Sequence, residues 1–193
     1  LIPEDKVPKT WDEYKSLASE LSKDGMYGTT VFGSGSDAVC SFLDFASQAG
    51  ADGLVFGKDG KCNLTDQPYA DALNFMIENS KADYTSGDAL ATAATESQEL
   101  FTNGKVAMQL NWSHQYPAAV AIMGKDKVGV APMIAGSSGI GATTGPWYEC
   151  VMKNSKHSDI AKQYVKFMYD HNADYMNLTL KIAGRKSVYE DAA

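Results

Sequence analysis

The sequence predicts an α/β fold in which helices outnumber strands. Segments with helical periodicity alternate along the chain with short apolar runs typical of strands, and this alternation characterises α/β domains. The composition is that of a globular protein, since 44% of the 193 residues are hydrophobic and 21% are charged. A chain of this length can bury a sizeable core.

The charge pattern argues against a nucleic-acid partner. The formal net charge is -7, and the lysines are scattered beside acids and glycines without forming a basic patch. No stretch is apolar for long enough to span a bilayer. We also expect no metal and no cofactor, because the three histidines are far apart in sequence and the three cysteines show no CxxC spacing.

The first half of the chain is predicted to be mainly helical. Thr10 and Glu13 form a capping box that begins the first helix, which contains Trp11 as a core residue and ends near Gly25. The elements that follow are a strand at 26–32, a loop at 33–37 and a helix at 39–49. A turn-rich stretch at 53–61 contains an Asp59-Gly60 hairpin signal. Two more helices are predicted: one begins at 65–68, with Tyr69, Leu73, Met76 and Ile77 on its apolar face, and the other lies at 92–101.

The second half alternates strands and helices. The predicted elements are a strand at 106–110, a helix at 116–123, a strand at 128–132, a polar loop at 135–145 and a strand at 147–152. A helix from Ser158 follows, with Ile160, Ala161, Tyr164, Val165 and Met168 facing inward. The chain then continues with a helix at 173–182 and a loop at 184–186.

Four local patterns carry a resemblance to a known family. They are 8–13 (PKTWDE), like P-x-T-W-[DE]-E; 101–108 (FTNGKVAM), like F-x-x-G-K-x-A-M; 128–132 (VGVAP), like V-G-V-x-P-x-P with Ile134 in place of the second Pro; and 154–156 (NSK) before an amphipathic helix. In this order and spacing they resemble the extracellular solute-binding proteins of carbohydrate (maltose/trehalose-type) ABC importers, family 1.

The resemblance implies a periplasmic-binding-protein-like type II fold with two α/β lobes joined by hinge strands. By that pattern residues 1–125 form the helix-rich C-terminal lobe, 126–170 return to the N-terminal lobe, and 171–193 rejoin the C-terminal lobe. The chain opens on Leu1-Ile2-Pro3 without an initiator Met. We therefore expect a fragment that lacks most of the N-terminal lobe.

Asn111 and Trp112 are the leading candidates for ligand contact. They follow a predicted strand, and open α/β sheets bind ligands where strands end. Sugars present apolar C–H faces and hydroxyl groups, so a sugar site needs flat aromatic rings with polar groups beside them. The segment 111–114 resembles the family's N-W-P-Y, with Ser113 and His114 in the last two places, so His114 is also a candidate. The alternative is that Trp112 is a core residue.

Further candidates come from the same resemblance. Gly145 and Trp147 are similar to the family's G-G-W segment, although Pro146 replaces one glycine, and a hinge or core Trp is the alternative. Ser36 and Asp37 lie in the loop before a helix. In the family, polar residues at this place accept hydrogen bonds from ligand hydroxyls, and the alternative is that one of them caps the helix. Arg185 matches a turn from which the family's Arg reaches the cleft, and a solvated surface Arg is the alternative.

The resemblance implies a protein that binds a di- or oligosaccharide and passes it to an ABC importer permease without chemistry. It implies a bacterial extracellular or periplasmic location, with membrane contact only through a lipid anchor on the absent N-terminus. The 126–170 segment, if exposed, would favour a dimer. A glycoside hydrolase is the first alternative, which needs a pair of carboxylates. A solute-binding protein for a non-sugar ligand is the second, and no nucleotide-binding motif is present.

Overall fold

Helices dominate the computed structural model, which describes residues 2–52, 55–57, 59–146, 148–179 and 181–190. The predicted positions Gly53, Leu54, Lys58, Trp147 and Leu180 lie outside the described residues. The regular elements, in chain order, are α1 Trp11–Leu21, α2 Gly35–Gln48, α3 Gln67–Lys81, α4 Ala94–Thr102, α5 Gln115–Met123, β1 Ala135–Gly136, β2 Gly139–Ile140, α6 Ser158–Asp170, α7 Asn172–Thr179 and α8 Ser187–Glu190, with short 3-10 turns at Glu4–Lys6 and Lys125–Lys127.

The predicted cap of α1 is confirmed. The Thr10 hydroxyl accepts a hydrogen bond from the Glu13 backbone N–H at 3.2 Å, and the Glu13 carboxylate accepts one from the Lys9 N–H at 2.7 Å. Two N–H groups that helix formation leaves unpaired are thereby satisfied. The helix ends at Leu21, before the Gly25 that was expected to stop it.

Two of the predicted strands pair in parallel through single bridges. Tyr27 bridges Val106, and the Met108 N–H donates to the Gly28 carbonyl at 3.0 Å. Gly28 is required here, because a Cβ at this position would lie 1.8 Å from the Ala18 carbonyl oxygen of α1. The two extended stretches therefore lie directly against the first helix.

One core joins the first three helices to these extended stretches. Trp11 belongs to this core, as predicted: its ring stacks on Phe75 with centroids 4.3 Å apart and meets Phe45 edge-on at 6.1 Å. Such aromatic pairs add specific contact energy to the area that they bury. The buried members of the core are Tyr14, Leu17, Ala18, Phe45, Ala46, Tyr69, Ala72, Phe75, Met108 and Ile134.

Two predictions about α2 and α3 need correction. Helix α2 begins at Gly35, four residues before the predicted start, so part of the expected loop forms its first turn. In α3, Leu73 and Ile77 were expected to face the core, but their side chains are 50% and 40% exposed. Ala72 and Phe75 are buried instead, because Phe75 fills the space between Trp11 and Phe45.

The chain from 125 onward is mostly exposed, which contradicts the predicted inward face of α6. No residue of α6 is buried, and Ile160 and Tyr164 are 66% and 55% exposed. The predicted strand at 128–132 and the described part of the one at 147–152 form no ladder in this structure. An amphipathic helix and strands need a surface to pack on, and the described residues offer none to this stretch.

Among the described residues, none of the helices is both long and apolar enough to cross a bilayer.

Candidate functional site

A small crevice lies beside Trp112, where the extended stretch 106–110 ends. Its volume is about 20 Å³, which is room for one water molecule and too little for a sugar ring. Trp112 is partly buried and contributes to the lining of this crevice. The lining residues are Phe32, Ser41, Asp44, Phe45, Leu110, Asn111, Trp112 and Met133.

The side chain of Asn111 is largely occupied within the protein. Its amide nitrogen donates to the Ala94 carbonyl at 3.2 Å and to the Gln109 side-chain oxygen at 2.9 Å, while its oxygen accepts from the Trp112 N–H at 2.8 Å. An amide side chain has two N–H donors and two acceptor lone pairs. Asn111 can therefore offer a ligand one further acceptor position, and its other bonds hold the backbone of Trp112 against α4.

Asp44 is the charged residue of the crevice, and sequence reasoning missed it. It lies on α2 and is only 8% exposed, and its carboxylate accepts a hydrogen bond from the Thr143 backbone N–H. Burial raises the pKa of Asp44 from 3.8, and the Thr143 backbone and side chain oppose this shift. One signal was available: Asp44 interrupts the apolar run at 42–46.

The loop that contains Thr143 is held against the C-terminal end of α2. Gln48 donates from its amide nitrogen to the Gly141 carbonyl at 2.8 Å, and the Gln48 carbonyl accepts from the Ser138 N–H at 2.9 Å. A Cβ at Gly136 would lie 2.7 Å from the Gln48 carbonyl, so glycine permits the close approach. The β1–β2 hairpin and the following loop are therefore docked on α2.

Ser36 and Asp37 lie in the first turn of α2, after its N-cap residue Ser34. Capping of their own helix, one of the two alternatives for these residues, does not occur, because α2 has no side-chain capping bond. Instead, the Asp37 carboxylate accepts from the Ala94 N–H at 3.0 Å, at the beginning of α4. This contact joins two helices and uses one oxygen of Asp37.

The remaining predicted site residues are not among the crevice lining. Arg185 lies over the Tyr169 ring at 5.1 Å, and its Nε donates to the Ser187 hydroxyl at 2.7 Å. His114 and Gly145 are exposed, and His114 occupies the N-cap position of α5 without a side-chain capping bond. Trp147 lies outside the described residues. The structure thus brings Asn111 and Trp112 into one crevice and gives Arg185 other neighbours.

Cys40, Cys62 and Cys150 are free thiols, and no three His, Cys, Asp or Glu side chains within the described ranges come together as metal ligands. Burial raises the pKa of the Cys40 thiol, and the nearby Asp44 and Asp37 charges add to this shift.

A comparison with protein families gives one match that covers most of the chain. Residues 2–174 match the family model described as bacterial extracellular solute-binding protein. The matched residues include the crevice, α6 and the first part of α7.

Comparison with solved structures gives the same result at the level of the fold. The chain is similar to maltose-bound MalE3 of T. maritima, with 25% identity, a TM-score of 0.77, and coverage of 96% of this chain and 50% of that one. It is similar to the GacH receptor of Streptomyces glaucescens, solved unliganded and with acarbose, with 29% identity, a TM-score of 0.76, and coverage of 95% and 48%. The chain therefore spans about half the length of the solved structures that it matches.

Proposed function

The chain belongs to the family of bacterial extracellular solute-binding proteins, and from that premise we propose that it forms part of a sugar-binding subunit of an ABC importer. Its fold is the helix-rich, type II periplasmic-binding-protein-like fold that the sequence predicts. The ligand is a di- or oligosaccharide, which the protein binds and releases unchanged.

The partly exposed Trp112 side chain in the lining of the crevice is the observation that carries this proposal. An aromatic face packs on the C–H face of a sugar ring, while Asp44 and the free acceptor position of Asn111 suit its hydroxyl groups. An aromatic side chain can bury about 150–250 Å² at about 25 cal/mol/Å², so partial coverage of Trp112 supplies a few kcal/mol. Maltose and acarbose in the two similar structures are ligands of this class.

Catalysis on the sugar is disfavoured by the lining of the crevice. Glycosidases need two carboxylates on opposite sides of the scissile bond, about 5–10 Å apart. Among the residues that line this crevice, all of which the structure describes, Asp44 is the one carboxylate. The proposed function is therefore binding without chemistry.

Residues 144–146 and 148–170 are mostly exposed, and this exposure supports a division of the chain between two lobes. Residues 1–125 and 171–193 belong to the C-terminal lobe, and 126–170 belong to the N-terminal lobe. Ile160, Tyr164 and Phe167 form an exposed apolar row on α6, which we name the α6 stripe, with exposed fractions of 66%, 55% and 56%. The N-terminal lobe would cover the α6 stripe, and in its absence a second copy of the chain would do so.

The partners and location follow from the same premise. The sugar-loaded protein docks on the membrane permease of the importer at the extracellular face of the cell membrane or in the periplasm. A lipid anchor on the N-terminal part of the parent protein keeps it near that membrane.

A screen of sugars by thermal shift tests the proposal. Maltose, maltotriose and acarbose are each added at millimolar concentration, and the non-sugar osmolyte TMAO at the same concentration controls for general solute effects. A bound sugar raises the Tm because it binds the folded chain and not the unfolded one. A rise above the TMAO control supports a sugar ligand. Shifts for all three sugars that equal the TMAO shift count against it.

A further inference from the structure

We propose that Asp44 is a positioning residue of the ligand site: its carboxylate, which lines the crevice with Trp112, fixes the loop around Thr143 on α2. The assignment of a ligand to this site rests on the proposed function. The contact between Asp44 and Thr143 does not depend on any ligand.

Two side chains one helical turn apart on α2 hold this loop. Asp44 and Gln48 are related as i and i+4, so both project from the same side of the helix. Gln48 bonds Gly141 at 2.8 Å and Asp44 bonds Thr143, so each contacts one backbone group of the loop. They differ in their surroundings, because Gln48 is fully buried whereas Asp44 also lines the crevice with Trp112. Asp44 is therefore the contact of this pair that a ligand can reach.

Asp44 is a buried carboxylate whose surroundings among the described residues contain no cationic partner. The stretches that contribute to the crevice and the docked loop, 29–34, 108–113 and 133–146, contain no charged side chain. On α2 itself, Asp37 and the Cys40 thiol are the titratable groups on the preceding turns. No cation from the described residues forms an ion pair with Asp44. A buried carboxylate in such surroundings needs hydrogen-bond donors, and the Thr143 N–H supplies one.

Ligand hydroxyls are donors that could join the Thr143 N–H at the Asp44 carboxylate. A sugar ring stacked over Trp112 would bring hydroxyl groups to the mouth of the crevice, within the neighbourhood of the Asp44 carboxylate. The loop that Asp44 holds continues in sequence to Trp147, four residues after Thr143. Removing the Asp44 charge would therefore both take away an acceptor from the crevice and weaken the contact that fixes the loop around Thr143 on α2.

The first test follows the Thr143 amide proton by NMR as the pH is changed, without any sugar. If its N–H donates to the Asp44 carboxylate, its chemical shift follows the ionisation of Asp44, with a midpoint above 3.8. The Asp44→Asn variant should abolish this titration. The Glu20→Gln variant, which removes an exposed carboxylate of α1, should leave it unchanged. A Thr143 shift that titrates equally in the Asp44→Asn variant would overturn the proposal.

The second test measures maltotriose affinity in the same variants over the same pH range. Loss of a charge-assisted hydrogen bond predicts about a tenfold weaker affinity for Asp44→Asn at neutral pH, and a flatter dependence of affinity on pH than in the unsubstituted chain. The control is again Glu20→Gln, which removes an exposed carboxylate of α1 and should leave the affinity unchanged. Affinity that is equal in Asp44→Asn and the unsubstituted chain would overturn the positioning role while leaving sugar binding intact.

The two tests separate the positioning role from the proposed function. If the unsubstituted chain binds none of the sugars but the Thr143 amide titrates with Asp44, the sugar ligand is wrong and the contact that fixes the loop is supported. If sugar binds but the Thr143 amide does not respond to Asp44, the sugar ligand is supported and the contact that fixes the loop is wrong.

Discussion

The indole N–H of Trp11 donates a hydrogen bond to the side-chain oxygen of Gln48 at 2.6 Å, and this bond joins the beginning of α1 to the end of α2. The amide nitrogen of the same Gln48 donates to the Gly141 carbonyl at 2.8 Å. One fully buried side chain therefore links the first helix, the second helix and the loop beside the crevice.

Replacing Gln48 by Leu should destabilise the chain by about 2–4 kcal/mol, because the substitution leaves the buried Trp11 N–H and the Gly141 carbonyl without their partner. Urea unfolding measures this loss. Gln67→Leu on α3 is the matched control, since Gln67 is exposed and its change should stay within about 0.5 kcal/mol. Equal unfolding midpoints for the two variants would contradict a structural role for Gln48.

Replacing Asp44 by Asn should change stability in a pH-dependent way. Burial raises the pKa of Asp44 in the folded chain, so its contribution to stability is fully present below the unfolded value of 3.8 and is lost as the pH rises through the folded value. The Asn variant carries no charge to bury. Its free energy of unfolding should therefore rise relative to that of the unsubstituted chain between acid and neutral pH.

Urea unfolding of the Asp44→Asn variant at several pH values checks this expectation. The Glu20→Gln variant controls for the titration of exposed carboxylates. If the stability difference between Asp44→Asn and the unsubstituted chain stays constant across the range, the carboxylate is not buried as the structure shows it.

The α6 stripe predicts self-association of the isolated chain. Ile160, Tyr164 and Phe167 are more than half exposed and lie on one side of the helix, because their spacing is four and three residues. Light scattering should show a molecular mass that rises with concentration. Phe167→Glu should reduce this rise, whereas Lys162→Gln, which makes the same change in net charge on the opposite side of the helix, should not. A chain that is monomeric at every concentration would rule out the dimer.

The sequence predicted the first part of the fold well because its signals are local. The Thr10–Glu13 capping box and the periodicity of α1 need only neighbouring residues, and Trp11 lies in the core as expected. Burial on α3 was harder to predict, since Leu73 and Phe75 are both apolar. The position of the Trp11 ring, not the periodicity, selects Phe75 for the core.

The second part of the fold differs for a different reason. The strand predicted at 128–132 and the inward face predicted for α6 both require a surface to pack against, and the described residues do not provide one. Intrinsic preference alone does not form a strand, since its backbone groups need a neighbouring strand. Local sequence therefore identified elements whose partner surface is absent from this structure.

The candidate site was predicted in part. Asn111 and Trp112 were selected from the end of a predicted strand, and both line the crevice. Asp44 was missed because periodicity does not reveal that one polar residue on an apolar helix faces a cleft formed by stretches distant in sequence. The bond from the Ala94 N–H to Asp37 was missed for the same reason, since the two residues are 57 positions apart.

The most direct measurement of the central claim is calorimetric titration of maltotriose into the chain and into its Trp112→Ala variant. If the Trp112 face binds a sugar ring, the substitution removes a few kcal/mol of contact and weakens the affinity by at least about tenfold. The affinity of Trp112→Phe, which keeps a smaller aromatic face, should lie between those of the unsubstituted chain and Trp112→Ala. An affinity for maltotriose that is unchanged in Trp112→Ala, or no sugar binding by the unsubstituted chain, would contradict the account.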